Sequence, residues 1–131
     1  MGAWGHGIFD NEDAMDWVND LVESGDLGPV AAALSSVLET DDELEAADCS
    51  AALAAAEVLA AIAGEPSNKL PDEVGAWLQR NRPQADDALL DYALRAVRKI
   101  RSQSELRELW EESGEYREWL AVVSDLKSRL S

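Results

Sequence analysis

The sequence predicts an all-α protein, a single compact domain over residues 1–131 in which six or seven short helices surround a central alanine-rich helix. Apolar residues recur along most of the chain at the three- and four-residue spacing of a helix face. Glycine and proline interrupt this pattern at intervals that suit short helices. No run of four or more residues fits an alternating strand better than it fits a helix. With 131 residues and 47% hydrophobic content, the chain is long and apolar enough for one core.

The first three predicted helices follow an arm at residues 1–9 that is rich in glycine and aromatic residues, and we expect its apolar side chains to pack on the domain. Asp10 or Asn11 can cap the first helix, and a Gly-Pro pair opens the second. Asp41 and Asp42 are the expected caps of the third helix. Because that helix is apolar on nearly every face and small in side chain, we predict that it lies at the centre of the fold.

The remaining four helices have clear start and stop signals. Pro71 begins the fourth helix and Pro83 stops it, while Ser104 begins the sixth and Gly114 ends it. Tryptophans at helical core positions are predicted to be buried, namely Trp17, Trp77, Trp110 and Trp119. The predicted helices cover about residues 11–23, 28–39, 43–63, 71–82, 84–101, 104–113 and 115–130.

Charge is distributed very unevenly along the chain. Residues 1–68 hold fifteen acidic residues and no Lys or Arg, whereas residues 69–131 hold twelve acidic and eleven basic residues. A net charge of −16 disfavours nucleic acid and anionic membranes as partners, and no apolar run reaches the length of a membrane span. A single cysteine excludes an internal disulfide, and the first residues lack the pattern of a signal peptide, so we expect a cytoplasmic protein.

The densest group of chemically similar residues lies on the first helix. Asp13, Asp16 and Asp20 share a helix face at i, i+3 and i+7, and Glu23 extends it. We predict that these carboxylates form a face that contacts a basic protein partner. Trp4 is either an anchor of this contact or a side chain that packs into the core. A solvated helix face and a site for Ca²⁺ or Mg²⁺ are the alternatives, although the spacing does not match an EF-hand loop.

Two further residues have ionisable or nucleophilic side chains at isolated positions. His6 beside Asp10 could act as a general base with an orienting carboxylate, but a lone histidine in a glycine-rich arm more often has a packing role. Cys49 lies in the alanine-rich helix, where we expect a small buried hydrophobic residue and not a reactive thiol. We therefore predict no catalytic residue, no metal site and no cofactor.

Glu57 is the one charged residue within the apolar part of the third helix. We expect it to be partly exposed in a structural role. The alternatives are a functional acid and a buried ion pair, for which Arg95 and Arg98 are the candidate partners.

Three parts of the chain resemble known sequences. They are the distinctive opening string MGAWGHGIFDNEDAMDW, the segment around Glu57 and the segment from Ser104 to Trp110. Together they resemble a family of small bacterial proteins catalogued as a domain of unknown function, number 4259. The resemblance spans nearly the whole chain. It implies a short, soluble bacterial protein and implies no activity or catalytic residue.

Charge and fold together favour a non-enzymatic, acidic protein-interaction module, similar in kind to inhibitors or immunity proteins that meet basic partners. One alternative is a structural module that forms a homodimer through an apolar stripe exposed on the last helix. The other alternative is an enzyme that uses clustered carboxylates and a divalent metal ion.

Overall fold

The computed structural model describes residues 5–131, so Trp4 lies outside the described residues. Within residues 5–131 the chain forms seven helices and no β-strand, as predicted. The helices are α1 (Glu12–Glu23), α2 (Gly28–Leu38), α3 (Ala46–Ile62), α4 (Asp72–Asn81), α5 (Asp87–Ser102), α6 (Glu105–Ser113) and α7 (Tyr116–Leu130).

Helix α3 is the centre of the fold, as its composition predicts. Nearly every residue from Cys49 to Ala60 is buried, and α1, α2, α5, α6 and α7 all pack against this helix. Its many alanines keep the helix thin, so five neighbours can approach it closely. The predicted core tryptophans Trp17, Trp77, Trp110 and Trp119 are all buried.

The start of α3 differs from the prediction. The helix begins at Ala46, and Asp41 and Asp42 lie in the preceding loop without capping it. Glu105, at the start of α6, supplies the cap instead. Its Oε1 accepts a hydrogen bond from the Ala46 N–H at 2.9 Å, and its own N–H donates to the Leu44 carbonyl at 2.9 Å. The beginnings of α3 and α6 are thereby held together by two reciprocal hydrogen bonds.

Helices α5 and α7 pack against α3 and against each other, and so cover part of the core. The apolar stripe of α7 faces α3 and α5, with Trp119, Val123 and Leu126 buried. The expected exposed stripe on the last helix is therefore wrong, because these side chains belong to the core of their own chain. No helix within residues 5–131 has both the length and the hydropathy needed to cross a bilayer.

Candidate functional site

The predicted acidic face on α1 is exposed along its whole length. Asp13, Asp16, Asp20 and Glu23 are all exposed, while the opposite face of α1 is buried in the core. None of these four carboxylates forms an ion pair with another residue in the part of the chain that the structure describes. We call these four residues the α1 ridge.

The α1 ridge carries charge that the helix itself disfavours. Carboxylates in the first turn of a helix are stabilised by the helix dipole, and this benefits Asp13. Asp20 and Glu23 lie near the other end, where the dipole is negative and no basic residue balances them. Asp16 and Asp20 are also like charges at i and i+4, which repel each other across one turn. The ridge therefore keeps a charge pattern that costs stability in the free protein.

A second acidic surface was missed by the sequence analysis. A groove of about 610 Å³ lies between the α2–α3 loop and the α5–α6 junction. Five carboxylates line this acidic groove against two basic side chains, leaving a formal charge of −3; the carboxylates are Asp41, Asp42, Glu43, Glu108 and Glu111. No local signal in the sequence marks the groove, because its two walls are more than 50 residues apart.

The two basic residues in the groove are already engaged inside the chain. Lys99 Nζ donates to the carbonyls of Val37 and Thr40 at 2.8 and 3.0 Å, at the end of α2. Arg107 Nη1 donates to two carbonyls at the end of α5, and its Nε pairs with Glu111 Oε1 at 2.9 Å. These cations are oriented towards helix C-termini, where they offset the negative end of the dipole. Among the residues that the structure describes, Glu111 is the only groove carboxylate with a cationic partner.

The distinctive arm is held in place by Asp10. Its Oδ2 accepts a hydrogen bond from the Gly7 N–H at 3.2 Å, and the Asp10 N–H donates to the Gly7 carbonyl at 3.1 Å. A Cβ atom at Gly5 or Gly7 would lie 2.7 or 2.6 Å from Asp10 Oδ2, so a side chain at either position would have to displace the Asp10 carboxylate. Within the described part of the arm, Ile8 and Phe9 are buried against the hydrophobic core.

His6 forms no hydrogen bond or ion pair with a carboxylate within residues 5–131, and the Asp10 carboxylate accepts from the Gly7 N–H instead. The ring Nδ1 of His6 is buried and has no hydrogen-bond partner among residues 5–131. The suggested His6–Asp10 pair is therefore absent from the folded chain. Two cavities, of about 170 and 290 Å³, lie on either side of the segment from His6 to Ile8.

Glu57 is buried, so the expectation of partial exposure is wrong. Its side chain is 2% exposed, and its two oxygens accept from Nη1 and Nη2 of Arg129 at 2.7 and 2.8 Å. Arg95 and Arg98, the partners considered from the sequence, are exposed on α5. Arg129 also binds Asp125 Oδ2 at 2.9 Å and the Glu65 carbonyl at 3.1 Å.

Glu57 and its partner form a structural tie between α3 and α7. The hydrogen bonds from Arg129 to Glu57 raise the pKa of the guanidinium above its ordinary value. Since Arg129 has acceptors on Glu57, Asp125 and Glu65, little of its hydrogen-bonding capacity remains for a ligand. This geometry indicates a role in stability.

Cys49 is fully buried in α3, as predicted. Burial raises the pKa of its thiol to about 12, so the thiolate is scarce at neutral pH. Among residues 5–131, no group of three or more Asp, Glu, His or Cys side chains converges in the way a metal ion requires.

Comparison with known proteins places the chain in a family without assigning it an activity. No curated protein and no solved structure matches it. Residues 2–122 match the family described as Domain of unknown function (DUF4259), a range that runs from the arm into α7. Since this match covers most of the 131 residues, the chain belongs to the DUF4259 family.

Proposed function

We propose that this protein is a non-enzymatic acidic interaction module that binds a basic protein partner, as inhibitors and immunity proteins do. The observation that carries this proposal is that the basic side chains near the acidic surfaces are bound within the chain and leave most of the carboxylates in its described part unneutralised. Lys99 and Arg107, which lie among the groove carboxylates, are engaged with backbone carbonyls or Glu111, and the α1 ridge has no ion pair within residues 5–131. Unneutralised carboxylates on a chain of charge −16 attract a basic surface from a distance.

The charge pattern of α1 supports the same proposal. Asp20 and Glu23 destabilise the free helix, and a basic partner would relieve their repulsion on binding. Such an interaction speeds association more than it lengthens the lifetime of the complex, and it weakens as salt screens the charges. Trp4 remains a proposed anchor of this contact. The proposed setting is the cytoplasm of a bacterium, where the lone cysteine stays reduced.

Affinity capture with two charge-matched baits tests the proposal. The ridge variant neutralises the four α1 ridge residues: Asp13→Asn, Asp16→Asn, Asp20→Asn and Glu23→Gln. The control variant neutralises four exposed acids on other helices: Glu73→Gln, Asp91→Asn, Glu112→Gln and Glu118→Gln. Both baits have the same net charge, so any difference between them comes from position and not from total charge.

We expect the wild type and the control variant to retain a basic protein that the ridge variant does not retain. Added salt should elute this protein from both baits. With the purified partner, stopped-flow association should slow by at least about tenfold for the ridge variant and by less than about threefold for the control. Equal losses for both variants, or a partner of acidic character, would overturn the proposal. Binding that is insensitive to salt would do the same.

A further inference from the structure

The smaller of the two cavities beside the arm has the size of one aromatic ring. It has a volume of about 170 Å³ and lies between the arm, the first half of α3, α6 and the start of α7. Its walls are mainly apolar and include Leu53, Leu106, Trp110 and Trp119. An apolar cavity of about 150 Å³ is enough to bind benzene, so this anchor cavity can hold a single ring.

Four of the residues that line the anchor cavity are polar or charged, namely His6, Asn11, Asp13 and Ser50. Ser50, on α3, lines it and is only 4% exposed, so its hydroxyl is a nearly buried polar group. Asp13, on α1, also lines the cavity and is exposed. A phenol fits this combination better than a plain hydrocarbon ring, because its O–H can donate to an oxygen of Ser50 or Asp13.

Asp13 also belongs to the α1 ridge, so the apolar cavity is continuous with the surface proposed to meet a basic partner. In protein interfaces, most of the binding free energy comes from a few anchors that fill pockets, and tyrosine is prominent among them. Charged residues around such a pocket determine which partner approaches and how fast.

We propose that the anchor cavity receives a tyrosine side chain that lies next to a Lys or Arg in the partner. The ring packs between Trp110 and the aliphatic walls, and the neighbouring cation lies against Asp13. This inference rests on the proposed function, since it specifies which residue of the basic partner enters the protein. It predicts a short recognition element in which a phenol and a positive charge are adjacent.

Three small molecules with the same phenol ring and different charges test the cavity without the partner. They are tyramine (cationic), N-acetyltyramine (neutral) and 3-(4-hydroxyphenyl)propionate (anionic). In a titration followed by NMR, we expect saturable shifts at the indole N–H groups of Trp110 and Trp119. At low salt, tyramine should bind about tenfold more tightly than the propionate, and this ratio should shrink at high salt.

Three variants locate the binding. Leu109 lines the cavity and is half-buried, so Leu109→Trp should fill the space and abolish the shifts from all three molecules. Leu120 is half-buried on α7 outside the cavity, and Leu120→Trp is the matched control that should leave binding unchanged. Asp13→Asn should bring the affinities of tyramine and the propionate close together.

The inference is overturned if tyramine gives no saturable shift at millimolar concentration, or if binding persists unchanged in folded Leu109→Trp. It is also overturned if the anionic molecule binds as tightly as the cationic one at low salt. These results are separable from the proposed function. Probe binding without any salt-dependent partner would refute the interaction module and leave only a cavity that binds phenols, whereas partner capture without probe binding would refute the role of the cavity alone.

Discussion

Replacing Arg129 with Met should strongly destabilise the fold, because Arg129 is the counter-ion of the buried Glu57. The substitution keeps an apolar stem of similar length but removes the only cation that binds Glu57 among the residues the structure describes. Glu57, whose side chain is 2% exposed in the wild type, then loses this cationic partner. Breaking a buried ion pair by removing one member costs about 3–5 kcal/mol, because the remaining charge cannot recover its hydration.

This cost is large beside the stability of a typical domain, which is about 5–15 kcal/mol. For a chain of this size it corresponds to a fall in Tm of about 10–20 °C. Asp125 provides the control, since it binds the same guanidinium but is 69% exposed. Asp125→Asn should cost less than about 1 kcal/mol, as expected for an exposed pair.

Urea unfolding, followed by tryptophan fluorescence and circular dichroism, measures these free energies. A double variant, Glu57→Leu with Arg129→Met, removes both charges together and should be more stable than Arg129→Met alone by about 2 kcal/mol or more. The reasoning is refuted if Arg129→Met costs no more than Asp125→Asn. It is also refuted if the double variant is less stable than the single variant, since the cost would then come from lost packing.

Three further changes follow from the geometry of the chain. Asp20→Asn with Glu23→Gln should raise the free energy of unfolding by about 0.5–1 kcal/mol, because both charges oppose the helix dipole; urea unfolding measures it. Gly7→Ala should cost about 1–2 kcal/mol, because its Cβ would displace the Asp10 carboxylate from the Gly7 N–H, and Asp10→Ala should remove most of this penalty in thermal melts. Cys49 should react with a thiol reagent at pH 8 only after unfolding, because its pKa is raised to about 12. Since this folded-state pKa lies above the unfolded value near 9.0, the thiol contributes stability below pH 9 that is lost as pH rises towards 12.

Each of these changes has an outcome that would contradict it. A loss of stability on neutralising Asp20 and Glu23 would mean that these carboxylates make favourable contacts in the free protein. If Gly7→Ala were equally costly with and without Asp10, the penalty would come from the backbone and not from the carboxylate. Labelling of Cys49 in the native protein at the rate of a free thiol would show that α3 opens readily.

Local patterns in the sequence predict the helices well, because each helix has its own periodicity and its own stop signals. The predicted start of α3 was wrong for a physical reason. Asp41 and Asp42 have side chains that can cap a helix, but the hydrogen bond that caps α3 comes from Glu105, which is distant in sequence. The burial of Glu57 could not be predicted from the sequence either. Because α3 is apolar on nearly every face, its periodicity does not show which neighbouring helix covers Glu57. Only the packing of α7 shows that Arg129 is its partner.

The candidate surfaces divide in the same way. The α1 ridge was predictable, because its carboxylates share one face of one helix, whose spacing the sequence records directly. The acidic groove and the anchor cavity were not, because each is built from segments that meet only in the folded chain. The sequence likewise does not show that Lys99 and Arg107 are hydrogen-bonded to carbonyls near the ends of α2 and α5.

The tie between Glu57 and Arg129 constrains how the chain matures during translation. The two residues are 72 positions apart, so α3 leaves the ribosome long before its counter-ion is made. A nascent chain that ends before α7 either leaves this segment of α3 hydrated or holds an unneutralised carboxylate among alanines. We therefore expect α3 to complete its packing only after α7 has been synthesised. Chains that end before α7 should be readily degraded by proteases.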